Sequence, residues 1–138
     1  MENNRFIMYH KHPTSARLLF FASKGSVCHF DNLPSESKIV ETHIDEERVV
    51  EYPENLIPTI KEGLAISEDI LEIETTFQTI AKANSATFTI YLVNFNTEDP
   101  PHEQLAHLKG KFISIIEARS LKSIESELLG LVYSFLME

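Results

Sequence analysis

Apolar and polar residues fall into separate stretches along the chain, and their spacing predicts the elements. Residues Arg5 to His12 read as a strand, with Phe6, Met8, His10 and His12 on one side and Ile7, Tyr9 and Lys11 on the other. Pro13 ends it. Ala16 to Ala22 contains the continuous apolar run Leu18-Leu-Phe-Phe21, the kind found in a strand buried on both faces. Lys24-Gly-Ser26 supplies a turn, and Val27 to Phe30 reads as a returning strand that stops at Asp31-Asn-Leu-Pro34. Ser35 to Glu47 is polar and acidic, a surface connection with a weak strand at Ile39-Val40, and Arg48 to Tyr52 is a further strand candidate ended by Pro53.

The period then changes. In Glu54 to Ile66, Leu56, Ile57, Ile60 and Leu64 recur at three- and four-residue spacing and predict a helix, although Pro58 must kink or start it and Gly63 weakens it by about 1 kcal/mol relative to Ala. Ile70 to Ile80 alternates as a strand, Ala81 to Ser85 is a polar turn, and Thr87 to Phe95 is the clearest strand, rich in β-branched and aromatic residues. The two predict a hairpin. Asn96 to Pro101 is a loop by composition, His102 to Leu108 a short helical turn, and Lys111 to Ile116 a last strand. Ser123 is placed to cap a terminal helix with Glu125 and Glu127 near its positive end, and Ile124, Leu128, Leu131, Val132 and Phe135 form its apolar stripe.

Composition bounds what this set of elements can be. A chain of 138 residues with 43% hydrophobic and 24% charged residues suits one ordinary globular domain, 1–138. The net charge of -9 argues against a phosphate-backbone surface, so no nucleic acid is expected as a partner. One cysteine, Cys28, leaves no intrachain disulfide and reads as a core residue. The start lacks an export-type apolar run, and nowhere do about 18 apolar residues follow one another, so the expectation is a soluble cytoplasmic protein without a membrane partner.

Catalytic motifs are scarce. His10-x-His12 places two imidazoles on one strand face, where His29 or His43 could complete a transition-metal site, but the plainer reading is an edge strand with two partly exposed histidines. The loop histidines His102 and His107 invite the same choice. No serine stands in a nucleophile elbow, and the four glycines are too dispersed for a phosphate-cradling loop. The strand aromatics, Phe77 and Tyr91 among them, are core residues first and pocket residues second.

Strands, a short helix, a hairpin, then strand, turn and terminal helix predict an α+β fold, an α/β/α sandwich around a mixed β-sheet with a C-terminal helix. Two stretches resemble the Nudix hydrolase family. Glu54 to Ile66 runs alongside the second half of the Nudix box, Arg-Glu-apolar-x-Glu-Glu-x-Gly-apolar, and Lys111 to Leu121 looks like the family's closing strand and Glu-Ala turn. The box is eroded: Pro58 replaces its Arg, Thr59 its first Glu, Glu62 and Gly63 its Glu-Glu, and Ala65 its Gly, while Ile60 and Ile66 keep the apolar positions. The upstream Gly and Glu fall on Ile44 and Val50.

That resemblance implies clustered carboxylates holding Mg²⁺ against a diphosphate. Glu62 is the one surviving acid and so the candidate catalytic and metal-binding residue, with Glu51, Glu54, Phe77 and Tyr91 as candidate ligand-binding residues and Glu98 or Asp99 as a further acid. Acids in a chain with 21 of them are also commonly a solvated face. Three readings remain: a Nudix-like domain that has lost hydrolysis and binds a small nucleotide-like ligand or a protein partner; a divergent metal-dependent hydrolase of nucleoside-diphosphate-type substrates; and an unrelated α+β structural domain, a homodimer through a sheet edge or the terminal helix. Mg²⁺ enters only with the second; otherwise the cofactor is unknown.

Overall fold

The computed structural model describes residues 3–44 and 52–137. Six strands form one mixed sheet: β1 (Asn4–Lys11), β2 (Leu18–Ser23), β3 (Lys38–Ile44), β4 (Leu71–Ala83), β5 (Ala86–Phe95) and β6 (Gly110–Ile113). Their spatial order is β3-β4-β5-β1-β2-β6, with β1 and β5 parallel and the other neighbours antiparallel. Helix α1 (Leu56–Leu64) and helix α2 (Ser123–Met137) complete it. The fold is therefore α+β, as the order of elements predicts.

The alternation in β1 and β5 separates two cores. Ile7, Tyr9, Ile90 and Leu92 face Leu128, Leu129 and Val132 of α2, whereas Phe6, Met8, Tyr91 and Val93 face Leu56, Ile60 and Leu64 of α1. Each helix thus covers its own face of the sheet. Strand β4 contributes to both faces because its pleat changes parity midway. From Ile73 opposite Val93 to Gln78 opposite Tyr91, β4 advances five residues while β5 moves two. Three extra residues send Leu71 and Ile73 to the α1 side and Phe77, Ala81 and Ala83 to the α2 side. Glu74, within this bulge, accepts the Tyr9 hydroxyl at 3.0 Å. Burial, then the charge of Glu74 and its hydrogen bond, hold the Tyr9 phenol well above its usual range.

Several local expectations change. Val27 to Phe30 is not a strand: it touches the sheet only at isolated bridges from Ser26 to Ser23 and from His29 to Phe6. The reason is a side chain, since the Val27 amide donates to Glu125 Oε1 at 2.8 Å instead of to a ladder carbonyl. Glu125 is fully buried rather than displayed at the helix end. Strand β3 is longer than Ile39-Val40, β6 stops at Ile113, and the β4–β5 turn tightens to Asn84-Ser85 with Asn84 at φ 55°. Ser123 is the first residue of α2 rather than the residue before it. Of the strand candidate Arg48 to Tyr52, residues 48–51 lie outside the described residues, and Tyr52 is not in a strand.

In α1, Pro58 is the third residue, inside the first turn, where the backbone N–H has no intrahelical acceptor to lose. No kink is required. The helix ends with Ala65 in the left-handed region, its amide bonded to Glu62 and that of Ile66 to Lys61, which closes the last carbonyls as a glycine C-cap would. His107 Nε2–H adds a bond to the Leu64 carbonyl at 2.6 Å.

Candidate functional site

The described candidate acids Glu54 and Glu62 do not gather. Glu54 lies in the turn before α1 and Glu62 in its last turn, both exposed at opposite ends of the helix. Glu51 lies outside the described residues. Lys61, between them, pairs with Asp69 at 2.5 Å, and that hydrogen bond holds the Asp69 carboxyl below its usual range. Among the described residues no three His, Cys, Asp or Glu side chains come together in a way that could hold a metal ion. Among the described residues, then, the carboxylate cluster that the resemblance implies is not formed.

The other candidates are equally dispersed. Phe77 packs against Phe135 of α2 with ring centroids 5.3 Å apart, whereas Tyr91 stacks on Phe6 on the opposite face of the sheet. The two cannot line one pocket. His10 lies on the central strand β1 rather than on an edge, is buried, and bonds the Thr97 carbonyl at 2.7 Å. His12 accepts the Thr14 amide, and His29 bonds the Phe21 carbonyl at 2.9 Å. Burial holds His29 below its usual range, and because the Phe21 carbonyl can only accept, its Nε2 is the donor. Asp99 borders a shallow hollow of about 460 Å³ in the Thr97–Gln104 loop, and Glu98 is exposed beside it.

A different site arises where β2 meets β6. The register sets Ala22 opposite Lys111 and Ser23 opposite Gly110. Beyond Ser23 the chain reverses through Lys24 and Gly25, both at positive φ (54° and 73°), with paired Ser23–Ser26 backbone bonds. Two left-handed residues match the twist of a two-residue hairpin, and glycine takes that conformation freely. Lysine does not, and its presence there costs about 1 kcal/mol.

After β6, Ser114-Ile-Ile-Glu117 forms a reciprocal cap. The Ser114 amide donates to Glu117 Oε1 at 3.1 Å and the Glu117 amide to Ser114 Oγ at 3.2 Å. This cap starts a 3-10 turn, Glu117–Ser120, that carries Arg119. Between the turn and the strands lies a cleft of about 820 Å³. Lys24, Lys109, Lys111 and Arg119 line it, a third of the chain's 12 Lys and Arg residues. Its one acid is Glu117, whose carboxylate is engaged by the Ser114 amide.

Ser23, Lys24 and Lys109 also border a second cavity of about 320 Å³ on the α1 side, walled by Phe21, His29, Phe30 and Gly63. In a chain carrying -9 overall, this edge of the sheet is a local positive field suited to an anion. Sequence reading missed it because the four cations are spread from position 24 to position 119. The one local sign was Lys24 in a turn that favours Asn or Gly. Among the described residues no helix is long and apolar enough to cross a membrane. Comparison with protein-family models finds no match to this chain, and comparison with curated proteins finds none either.

Proposed function

We propose that this chain is a Nudix-like module that has lost nucleoside-diphosphate hydrolysis and binds a small anionic ligand in the cationic cleft between β2, β6 and the 3-10 turn. The observation that carries this reading is the convergence of Lys24, Lys109, Lys111 and Arg119 on one concavity. Lys24 supports it further, because a lysine held at positive φ in a tight turn is a local strain of the kind found at binding sites. The loss of hydrolysis is supported by the separation of Glu54 from Glu62 and by the Thr59 and Gly63 replacements in the box. Lys109 and Lys111 also discourage edge-to-edge pairing at β6, a strand at the border of the sheet.

The experiment is a calorimetric titration with inorganic phosphate and pyrophosphate at low ionic strength, run on the wild type and on the Lys111→Gln/Arg119→Gln pair. Saturable binding that weakens at least tenfold in the variant is expected. Heat signals that are absent, or unchanged in the variant, remove the cleft as the site. A nucleotide-sugar and dinucleotide panel with Mg²⁺ or Mn²⁺ is expected to show no turnover; turnover that Glu62→Gln abolishes would return the chain to the hydrolases.

A further inference from the structure

The walls of the cationic cleft restrict the anion it can take. Among the described residues that line it there is no aromatic ring to stack on a base, and no Asn, Gln or Asp to read one. The apolar surface is aliphatic instead, supplied by Ala22, Ile113, Ile116 and Leu121. Ile116 is 69% exposed, more than any other large hydrophobic residue described. It leaves an aliphatic side chain in water on the same short segment that carries Arg119. Cations and an uncovered aliphatic surface in one concavity are complementary to an anion that brings its own aliphatic part.

We propose that the ligand is a soluble amphiphile, an alkyl phosphate, with its anionic group held by Lys24, Lys109, Lys111 and Arg119 and its chain laid against Ile113, Ile116 and Leu121. This rests on the reading of the cleft as an anion site. The chain's charge of -9 favours a free molecule over a bilayer surface, which would meet the acidic remainder of the protein as well.

The test titrates the wild type with phosphate, butyl phosphate, hexyl phosphate, octyl phosphate and phenyl phosphate, each below its micelle-forming concentration, alongside co-sedimentation with phosphatidylglycerol and phosphatidylcholine vesicles. Affinity is expected to rise about three- to fourfold per methylene through the alkyl series, with phenyl phosphate well below hexyl phosphate. Ile116→Ser, outside the buried core, is expected to flatten that rise, and Lys111→Gln to weaken every member alike. Phosphate binding with no dependence on chain length overturns the amphiphile and leaves the anion site standing, as does phenyl phosphate matching hexyl phosphate. No binding by any member overturns both. Binding to phosphatidylglycerol vesicles without binding of octyl phosphate overturns the soluble ligand in favour of a membrane.

Discussion

Glu125 Oε1 accepts the backbone amide of Val27 at 2.8 Å, and Oε2 accepts the Ser26 hydroxyl at 2.9 Å, so that one fully buried carboxylate joins α2 to the base of the Lys24-Gly25 hairpin. Ser26 Oγ accepts the Cys28 amide in turn, at 3.0 Å. Cutting this connection leaves the Val27 amide without its acceptor, whereas the Ser26 hydroxyl still has the Cys28 carbonyl at 3.3 Å. Glu125→Ala is expected to lose about 3 kcal/mol in urea denaturation, and Glu125→Gln distinctly less, since its amide oxygen still serves Val27. Equal losses in the two variants would mean that packing, not hydrogen bonding, sets the role of Glu125. The same buried charge, after burial itself, pushes the Cys28 thiol far above its usual range, so slow reaction with a thiol reagent under native conditions is expected.

Phe30 and Gly63 form a second such pair. A Cβ at position 63 would overlap the Phe30 ring, whose edge contacts with Phe6 and His29 resist its moving aside. On helix propensity alone Gly63→Ala should stabilise α1 by about 1 kcal/mol. The expected result is that this gain appears only when Phe30→Ala is present as well, with a coupling of about 1–2 kcal/mol in a double-mutant cycle. Additive behaviour of the two substitutions would contradict the contact.

Two positions hold non-glycine residues at φ 54°, Ala65 after α1 and Lys24 in the β2 hairpin. Ala65→Gly is expected to stabilise by about 1 kcal/mol with ligand binding untouched. Lys24→Asn is expected to raise the Tm for the same reason and also to weaken phosphate binding, because Asn accepts the left-handed backbone but brings no charge. A Lys24→Asn protein that is less stable than the wild type would place the role of Lys24 in folding.

His29 supplies a pH dependence. Its folded pKa is lowered by burial from the ordinary 6.5, so the unfolded chain takes up its proton first as the solution is acidified. The stability it contributes is complete above about pH 6.5 and declines as pH falls below that value toward the folded pKa. Gln can donate to the Phe21 carbonyl without titrating. The stability gap between wild type and His29→Gln, followed by denaturation from pH 8 to pH 5, is therefore expected to be flat above neutrality and to narrow on acidification. A gap that widens on acidification would show His29 to be charged in the folded protein.

The strongest patterns were local ones. Leu128 and Val132 recur at helical spacing, and residues along β1 and β5 alternate between two apolar cores, because a helix or strand with a buried face must repeat its period in sequence. Where the period breaks, reading along the chain fails. The three extra residues of β4 reverse its pleat, and only the pairing with β5 reveals which face Phe77 occupies. Pro58 signalled either a kink or a helix start because sequence does not say which turn of the helix it occupies, and Glu125, read as an acid near the positive end of α2, gave no sign of its burial because nothing near it names the Val27 amide as its partner.

By itself, then, the sequence determined the α+β class, the two-sided sheet and the C-terminal helix, since each follows from residue type and local spacing. Only tertiary structure decided that Glu54 and Glu62 stand apart, that His10 is a core residue, and that Lys24, Lys109, Lys111 and Arg119 meet. Charge proximity depends on register: the antiparallel pairing of Ala22 with Lys111 and Ser23 with Gly110 brings together residues nearly ninety positions apart, and hydrophobic periodicity carries no information about that.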